Sequence, residues 1–272
     1  MKLGVLILFF DDIDIDGKFK RVRDLGFDWC QLCAWKHELF TEENAKQIDA
    51  ARKKYGVEIS TFWCGYSGPV HWNFYEGQND LGIVPLEYRQ MRCEELKHGS
   101  DYAKRLGVDK IATHMGYLHE NPMCEDYPKL IEAIRDVAEH CKANGQSLLF
   151  ETGQETPVTL RRVIEDVGTG NLGINLDPAN LILYGKGNPV DALETFGQYV
   201  MDVHAKDGFY PTDGKALGKE AKVGEGRVNF PLLISRLKEI GYTGTVTIER
   251  EISGEQQTID IIDTKKYLEE II

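Results

Sequence analysis

A repeated order of helix, glycine and strand constrains the fold of this chain more than any other feature. Five glycines follow helix-like amphipathic stretches and come just before runs rich in strand-forming residues: Gly26, Gly56, Gly107, Gly145 and Gly241. The segment AKRLGVDKIATH (103–114) is typical of this order. Glycine commonly ends a helix because it adopts the left-handed backbone conformation without strain. The pattern therefore predicts a chain in which helices and strands alternate.

Eight segments are predicted as strands, and helical segments separate them. They are residues 3–9, 27–32, 58–64, 109–114, 147–152, 172–177, 199–206 and 244–250. Eight alternating units predict a closed parallel barrel, an α/β fold of the (β/α)8 class. An open, doubly wound sheet is the alternative, but no Gly-x-Gly-x-x-Gly motif follows the first strand.

The length of 272 residues fits a single barrel domain over 1–272, because such barrels commonly take about 250 residues. The last crossover is longer than the others. Its segment 208–229 is rich in glycine and charge, and we expect it to form a loop over the barrel mouth.

Charge and hydropathy narrow the classes of function. The formal net charge of −12 argues against a nucleic-acid partner, because phosphates require a basic surface. No apolar stretch reaches the roughly 20 residues of a membrane span. The apolar start LGVLILFF (3–10) is short, and no small-residue cleavage site follows it. We therefore expect a cytoplasmic protein that does not bind membranes.

Cys30 and Cys33 have the C-x-x-C spacing of redox and zinc motifs. Both lie on or next to a predicted strand, and their odd offset sends the two side chains to opposite faces. Since they cannot share a metal in this arrangement, we interpret them as ordinary strand cysteines of a reducing compartment.

Candidate metal ligands stand at the ends of four consecutive predicted strands. Strand five ends at Glu151 and strand six at Asp177, strand seven carries His204, and strand eight carries Glu249. In barrel enzymes the catalytic groups lie at the carboxyl ends of the strands. Period-two alternation directs these side chains toward one mouth of the barrel.

The same alternation assigns the other residues of strands seven and eight. Asp202 and Lys206 are expected to face inward, and Glu251 shares the inward face of Glu249, so that spacing alone does not choose between the two glutamates. The residues of strand seven that are expected to face the helices are Met201, Val203 and Ala205.

Three buried carboxylates at one mouth would repel one another strongly unless a cation compensates their charge. Mixed carboxylate and imidazole ligands suit one divalent metal; we expect Mn²⁺ first, with Mg²⁺, Co²⁺ or Zn²⁺ as alternatives. Any single acid has a simpler explanation, since Asp177 followed by Pro178 starts a turn readily. The occurrence of such residues on four successive strands favours the metal.

The chain resembles the xylose isomerase-like TIM barrels, a superfamily of sugar and sugar-phosphate isomerases and epimerases that includes ketose 3-epimerases and inosose dehydratases. The resemblance spans nearly the whole chain, and it rests on LGFDWCQL (25–32), THMG (113–116), LLFETG (148–153), INLDPANL (174–181), DVHAKDG (202–208), VGEGRVNF (223–230) and GYTGTVTIE (241–249). It implies that Glu151, Asp177, His204 and Glu249 bind the metal. It also implies that Glu151 and Glu249 are the catalytic acid and base, and so favours Glu249 over Glu251.

The activity implied by the resemblance is metal-dependent isomerisation or epimerisation of a sugar or sugar phosphate. A proton is then transferred between the two glutamates through a metal-stabilised enediolate. A dehydratase acting on an inosose or keto-sugar is the alternative. An abasic-site endonuclease is disfavoured because Asn180 replaces a histidine ligand of that branch. A non-catalytic sugar-binding barrel is disfavoured because binding alone does not require both glutamates.

Further residues near the strand ends are expected to contact the substrate. They are His114, Lys206, Trp63, Glu155 and Asn180. Lys206 is expected to bind a substrate oxygen, and Trp63 and Trp35 to stack on a sugar face. Each of these residue types also has a structural explanation, such as an ion pair for the lysine or core packing for the tryptophans. The identity of the sugar and its phosphorylation stay open. A homo-oligomer is also open, because barrels of this kind often pair.

Overall fold

Eight parallel strands form a closed barrel in the structure, a computed structural model that describes residues 1–9 and 14–272. The strands are β1 (Lys2–Phe9), β2 (Trp29–Ala34), β3 (Glu58–Cys64), β4 (Lys110–Thr113), β5 (Ser147–Glu151), β6 (Leu172–Leu176), β7 (Val200–Ala205) and β10 (Thr245–Ile248). β1 pairs with both β2 and β10, which closes the barrel. The predicted (β/α)8 TIM barrel is confirmed, and no predicted strand end differs from the observed one by more than two residues.

Helices join the strands and cover the outside of the barrel. They are α1 (Ile15–Asp24), α2 (Glu42–Tyr55), α3 (Gly77–Asp80), α4 (Leu86–Arg105), α5 (Tyr127–Ala143), α6 (Pro157–Val167), α7 (Pro178–Leu183), α8 (Pro189–Phe196), α9 (Phe230–Glu239) and α10 (Glu255–Glu269), with short 3₁₀ turns at His37–Leu39 and Gly197–Tyr199. The five predicted stop glycines each follow a helix and have φ between 64° and 79°. Within the described ranges, no helix is long and apolar enough to cross a membrane.

The apolar core has two parts. The larger part lies between the barrel and the helices, and a smaller cluster inside the barrel contains Cys33, Trp63, Ala112 and Leu149. Cys30 belongs to the outer part and Cys33 to the inner cluster, so the two cysteines face opposite sides of β2 as predicted. The inner cluster shares the barrel interior with polar side chains, among them Thr61 and Asp202.

The prediction that Met201 faces the helices is wrong. The register between β6 and β7 shifts at this point, and Met201 has no partner on β6. A bulge of this kind breaks the alternation of side chains. Met201 therefore packs against the inner cluster. The alternation resumes at Asp202, whose carboxylate contacts Gln31 and Thr61 inside the barrel.

The segment after β7 is more ordered than the loop that its composition predicts. It contains an antiparallel hairpin of β8 (Asp207–Phe209) and β9 (Lys219–Ala221). Leu217, which precedes β9, lines the cavity at the barrel mouth, so part of the segment does lie over the mouth.

Candidate metal centre

Four predicted ligands converge at the carboxyl ends of neighbouring strands. Glu151 ends β5, Asp177 follows β6, His204 lies on β7 and Glu249 follows β10. One ligand atom from each residue lies within 4.8 Å of the others. Nδ1 of His204 is 3.0 Å from Oε2 of Glu249, 3.4 Å from Oε1 of Glu151 and 3.7 Å from Oδ2 of Asp177.

Asp177 is both a turn residue and a candidate ligand. Its Oδ1 accepts a hydrogen bond of 2.9 Å from the backbone N–H of Asn180 and thereby caps α7, in which Pro178 is the first residue. Its Oδ2 has no hydrogen-bond partner among the described residues and faces His204. Both explanations that the sequence allows for this acid therefore apply: Oδ1 belongs to the turn, and Oδ2 is the candidate ligand atom.

A divalent metal fits the unpaired atoms of this group. Asp177 Oδ2, His204 Nδ1 and Glu249 Oε2 are buried and lack a hydrogen-bond partner in the described part of the chain. An unsatisfied buried polar atom costs about 1–3 kcal/mol, and clustered carboxylates repel one another. One cation removes both costs because it binds the lone pairs and compensates the negative charge. The mixed oxygen and imidazole set suits Mn²⁺, Mg²⁺, Co²⁺ and Zn²⁺.

Burial and neighbouring charge oppose each other at these ligands. Burial lowers the pKa of His204, but the charges of Glu249 and Glu151 outweigh this effect and raise that pKa well above its usual value. Burial raises the pKa of Glu151, but His114 and His204 outweigh it and hold that pKa well below its usual value. The carboxylates around His204 therefore favour its imidazolium form in the metal-free protein.

Three of the predicted substrate-binding residues contact Glu151. Nε2 of His114 lies 3.4 Å from Glu151 Oε1, and the Asn180 side-chain amide donates to the same oxygen at 3.4 Å. The indole N–H of Trp63 donates to Oε2. All three residues line the cavity at the mouth. They orient this carboxylate, and their contact with a substrate stays a prediction.

Lys206 is buried among acids. Its Nζ lies 2.9 Å from Glu251 Oε1, 3.4 Å from Glu249 Oε2 and 3.6 Å from Asp177 Oδ2. Burial lowers the pKa of Lys206, but Glu249 and Glu251 outweigh burial and raise that pKa well above its usual value. Lys206 is therefore charged. Glu251 pairs with it and stays outside the group of four ligands.

Glu155 lies behind the mouth and is not one of the described residues that line the cavity. It is buried, and its carboxylate accepts a hydrogen bond of 3.4 Å from the backbone N–H of Gly153. Burial raises the pKa of Glu155 to about 7. A direct contact between Glu155 and the substrate stays a prediction.

Sequence reasoning does not find three residues of the site. Gln31 contacts His204 inside the barrel, and Trp72 and Tyr184 line the cavity. For two of them, the spacing in the sequence indicates the position. Gln31 is the polar residue two positions before Cys33 on the inward face of β2, and Tyr184 comes one helical turn after Asn180.

Comparison with known proteins identifies the family. The family described as xylose isomerase-like TIM barrel matches residues 19–271. A xylose isomerase domain protein from Planctomyces limnophilus is 34% identical, has a TM-score of 0.93, and is matched over 99% of this chain and 96% of its own.

Two further solved structures share the fold at lower identity. A D-tagatose 3-epimerase-like protein is 23% identical with a TM-score of 0.73, over 100% of this chain and 98% of its own. A xylose isomerase-like TIM barrel protein from Mycobacterium smegmatis, solved in complex with magnesium, is 19% identical with a TM-score of 0.72, over 96% of this chain and 89% of its own. With its barrel closed and its four candidate ligands at one mouth, the chain belongs to the xylose isomerase-like TIM barrel family.

Proposed function

We propose that this protein is a sugar isomerase or epimerase that requires one divalent metal. The observation that carries the proposal is the placement of Glu151 and Glu249. They stand at the ends of β5 and β10, which β6 and β7 separate in the barrel, and both carboxylates face Nδ1 of His204. A substrate carbon held between them has a carboxylate on each side. The epimerase-like name of a protein with the same fold supports this reaction class.

Glu151, Asp177, His204 and Glu249 would hold the metal. When bound, a divalent cation would supply Lewis acidity that polarises the oxygens of a hydroxy-ketone and acidifies the C–H of the hydroxyl-bearing carbon next to the carbonyl. One glutamate then removes the proton from that carbon, and the other glutamate returns a proton to the opposite face, which inverts the centre. Removal of a proton from the terminal hydroxymethyl carbon instead, with its return to the carbonyl carbon, would convert a ketose into an aldose.

The surrounding residues prepare Glu151 for proton transfer. Trp63 and Asn180 bind its two oxygens and fix the carboxylate plane, while the charge of His114 favours the ionised form. On the other side, Lys206 faces Glu249 and lines the cavity. Its ammonium group is placed to donate a hydrogen bond to a substrate oxygen on which negative charge develops.

Hydrogen exchange tests the proposal directly. The metal-loaded protein is incubated in deuterated water with ketoses and their phosphates, and deuterium incorporation and new stereoisomers are followed by NMR. We expect exchange at the carbon beside the carbonyl, and we expect a chelator to stop it. Elimination of water would assign a dehydratase. The absence of exchange with every sugar of the panel, at full metal occupancy, would contradict the proposal.

A further inference from the structure

Four aromatic rings on the Glu151 side of the mouth form a closed cluster, which we call the tryptophan cluster: Trp35, Trp63, Trp72 and His114. Successive ring centroids around it are 5.0 Å apart for Trp63 and Trp35, 6.2 Å for Trp35 and Trp72, 5.0 Å for Trp72 and His114, and 5.9 Å for His114 and Trp63. Of these four rings, only Trp63 and His114 take part in the proton transfer proposed above, through their contacts with Glu151. The other two rings have no part in it.

The cluster has an inner and an outer layer. Trp63 and His114 touch Glu151, whereas Trp35 and Trp72 lie farther out. Trp72 keeps 41% of its surface exposed and lines the cavity at the mouth. The reacting carbon must lie beside Glu151. Only a part of the substrate that extends beyond that carbon can therefore contact Trp72.

The connection that carries Trp72, residues 65–85, is held by the fully buried Arg92. The Arg92 guanidinium donates hydrogen bonds to backbone carbonyls of this connection at Ser67, Pro69, Asp80 and Gly82, over 2.5–3.0 Å. It also lies 4.3 Å from the ring centroid of Tyr66 and 4.6 Å from that of Tyr88. A buried charge is costly unless it is fully hydrogen-bonded. We therefore expect the hydrogen bonds of Arg92 to hold the connection in one conformation.

The residues on both sides of Trp72 are fixed as well. The Asp80 carboxylate accepts a hydrogen bond of 3.1 Å from the backbone N–H of His71 and lies 2.5 Å from its ring Nδ1. On the other side, the Tyr117 hydroxyl donates a hydrogen bond of 2.8 Å to the carbonyl of Asn73. The half-exposed indole is therefore preorganised, which lowers the entropy cost of binding a ligand on it.

We propose that the tryptophan cluster is a subsite for a second, uncharged ring of the substrate, so that the preferred substrate is a keto-sugar carrying a glycosyl group. This inference rests on the proposed function. The rings of Trp35 and Trp63 are tilted by 42° and those of Trp35 and Trp72 by 81°, and all four members of the cluster line the cavity at the mouth. A pyranose presents C–H groups on its ring face, and such a face packs well on indole.

Matched sugars test the subsite. Each ketose that exchanges hydrogen is compared with its derivatives bearing a glucosyl group on O4 or O6, such as maltulose and isomaltulose for fructose. We expect a disaccharide to have a kcat/KM about tenfold above that of its monosaccharide, the value of one good aromatic contact. Trp72→Ala should remove most of this ratio and Trp72→Phe should keep part of it. Tyr75→Ala, which alters an exposed ring of the same connection outside the cluster, should leave the ratio unchanged.

Binding gives a second measurement that is independent of turnover. Calorimetry with Glu151→Gln, alone and combined with Trp72→Ala, reports the affinity for both members of a sugar pair. In one outcome, no sugar exchanges hydrogen, Glu151→Gln binds the disaccharide more tightly than the monosaccharide, and the added Trp72→Ala removes this difference. The proposed reaction is then refuted and the subsite is supported. If monosaccharides exchange and Trp72→Ala weakens both members equally, the subsite for a second ring is refuted and the proposed reaction stands.

Discussion

Nε2 of His204 lies 2.7 Å from Oε1 of Gln31, so that a side chain of β2 reaches the imidazole of β7 across the barrel interior. The amide Nε2 of Gln31 lies 3.4 Å from Oδ2 of Asp202, which fixes the amide in turn. Nε2 of His204 also lies 3.0 Å from Nδ2 of Asn175. Because the Gln31 carbonyl oxygen can only accept, a hydrogen bond between Gln31 and His204 requires the proton on Nε2 and leaves the lone pair of Nδ1 free to bind a metal. Gln31 therefore positions a proposed ligand without being a ligand.

Replacing Gln31 should weaken metal binding. Gln31→Met keeps a similar volume but removes the acceptor, and loss of such a partner typically costs a metal site about 10–100-fold in affinity. Calorimetric titration with Mn²⁺ measures this change, and circular dichroism checks the fold. Gln146→Met is the matched control: it removes a buried amide next to the start of β5, at the other end of the barrel. Equal Mn²⁺ affinities in the two variants would show that His204 does not depend on Gln31.

Without metal, the protein should lose stability as the pH rises. In the folded protein, burial lowers the pKa of His204, but the neighbouring carboxylates outweigh burial and raise it. The pKa of His114 is raised in the same way, because Glu151 outweighs the effect of burial. The contribution of a raised pKa is complete below the unfolded value of about 6.5 and is lost as the pH rises through the folded pKa. The depressed pKa of Glu151 acts at lower pH, where stability is lost as the pH falls.

Thermal unfolding with a chelator and with saturating Mn²⁺ checks this dependence. The melting temperature of the chelated protein should fall over the alkaline side of neutrality. Mn²⁺ should remove much of the fall, because the cation replaces the proton of His204 between the carboxylates. His204→Gln should flatten the curve of the chelated protein. A fall that is identical with and without Mn²⁺ would assign the effect to groups outside the site.

Much of the fold was predictable because its signals are local. A glycine such as Gly56, with φ of 64°, ends a helix by its own conformational preference. The inward direction of Glu151 and His204 follows from alternation within one strand. Met201 escaped this reasoning because its direction depends on a register shift between β6 and β7, which neither strand shows alone.

The outer part of the site was less predictable because it depends on distant contacts. Trp72 lies in a connection with no simple periodicity, and its position depends on the hydrogen bonds of Arg92 to backbone carbonyls. Backbone carbonyls are present at every residue, so the sequence carries no sign of which ones Arg92 will bind. The role of Gln31 was easier to predict than that of Trp72, because a polar residue that faces inward on a buried strand requires a hydrogen-bond partner.

Glutamine substitutions test the roles of Glu151 and Glu249 as the proposed acid and base. Glu151→Gln and Glu249→Gln keep the shape and one ligand oxygen but remove proton transfer, which is typically worth about 100- to 10,000-fold in rate. Each variant should lose at least that much turnover. If the two glutamates serve opposite faces of one carbon, one variant will still exchange hydrogen with deuterated water but will no longer epimerise.

A control and a metal analysis complete this comparison. Glu251→Gln changes the exposed partner of Lys206 and should lower turnover by less than about tenfold, because no proton transfer is lost. Elemental analysis must show equal metal content in all variants. Near-normal turnover of Glu151→Gln and Glu249→Gln at full occupancy would make both residues structural acids.

Asp207 should anchor the hairpin of β8 and β9. Its buried carboxylate accepts four backbone hydrogen bonds of 2.8–3.0 Å from Gly208, Gly224, Gly226 and Val228. Burial raises the pKa of Asp207 while these donors favour the charged form. Asp207→Asn keeps one acceptor oxygen and turns an NH₂ group toward backbone donors. Because an unpaired buried group costs about 1–3 kcal/mol, we expect the free energy of unfolding to fall by about 2 kcal/mol or more.

Asp213→Asn is the matched control within the same hairpin. The Asp213 carboxylate also accepts two backbone hydrogen bonds, of 2.7 and 2.9 Å from Lys215 and Ala216, but it is exposed, so water replaces any bond that is lost. Its effect should stay within about 0.5 kcal/mol. Urea unfolding measures both variants. Asp207→Asn should also raise KM, because the same segment carries Leu217 to the cavity at the mouth. Equal unfolding free energies for the two variants would mean that the backbone of the hairpin holds its shape without the buried carboxylate.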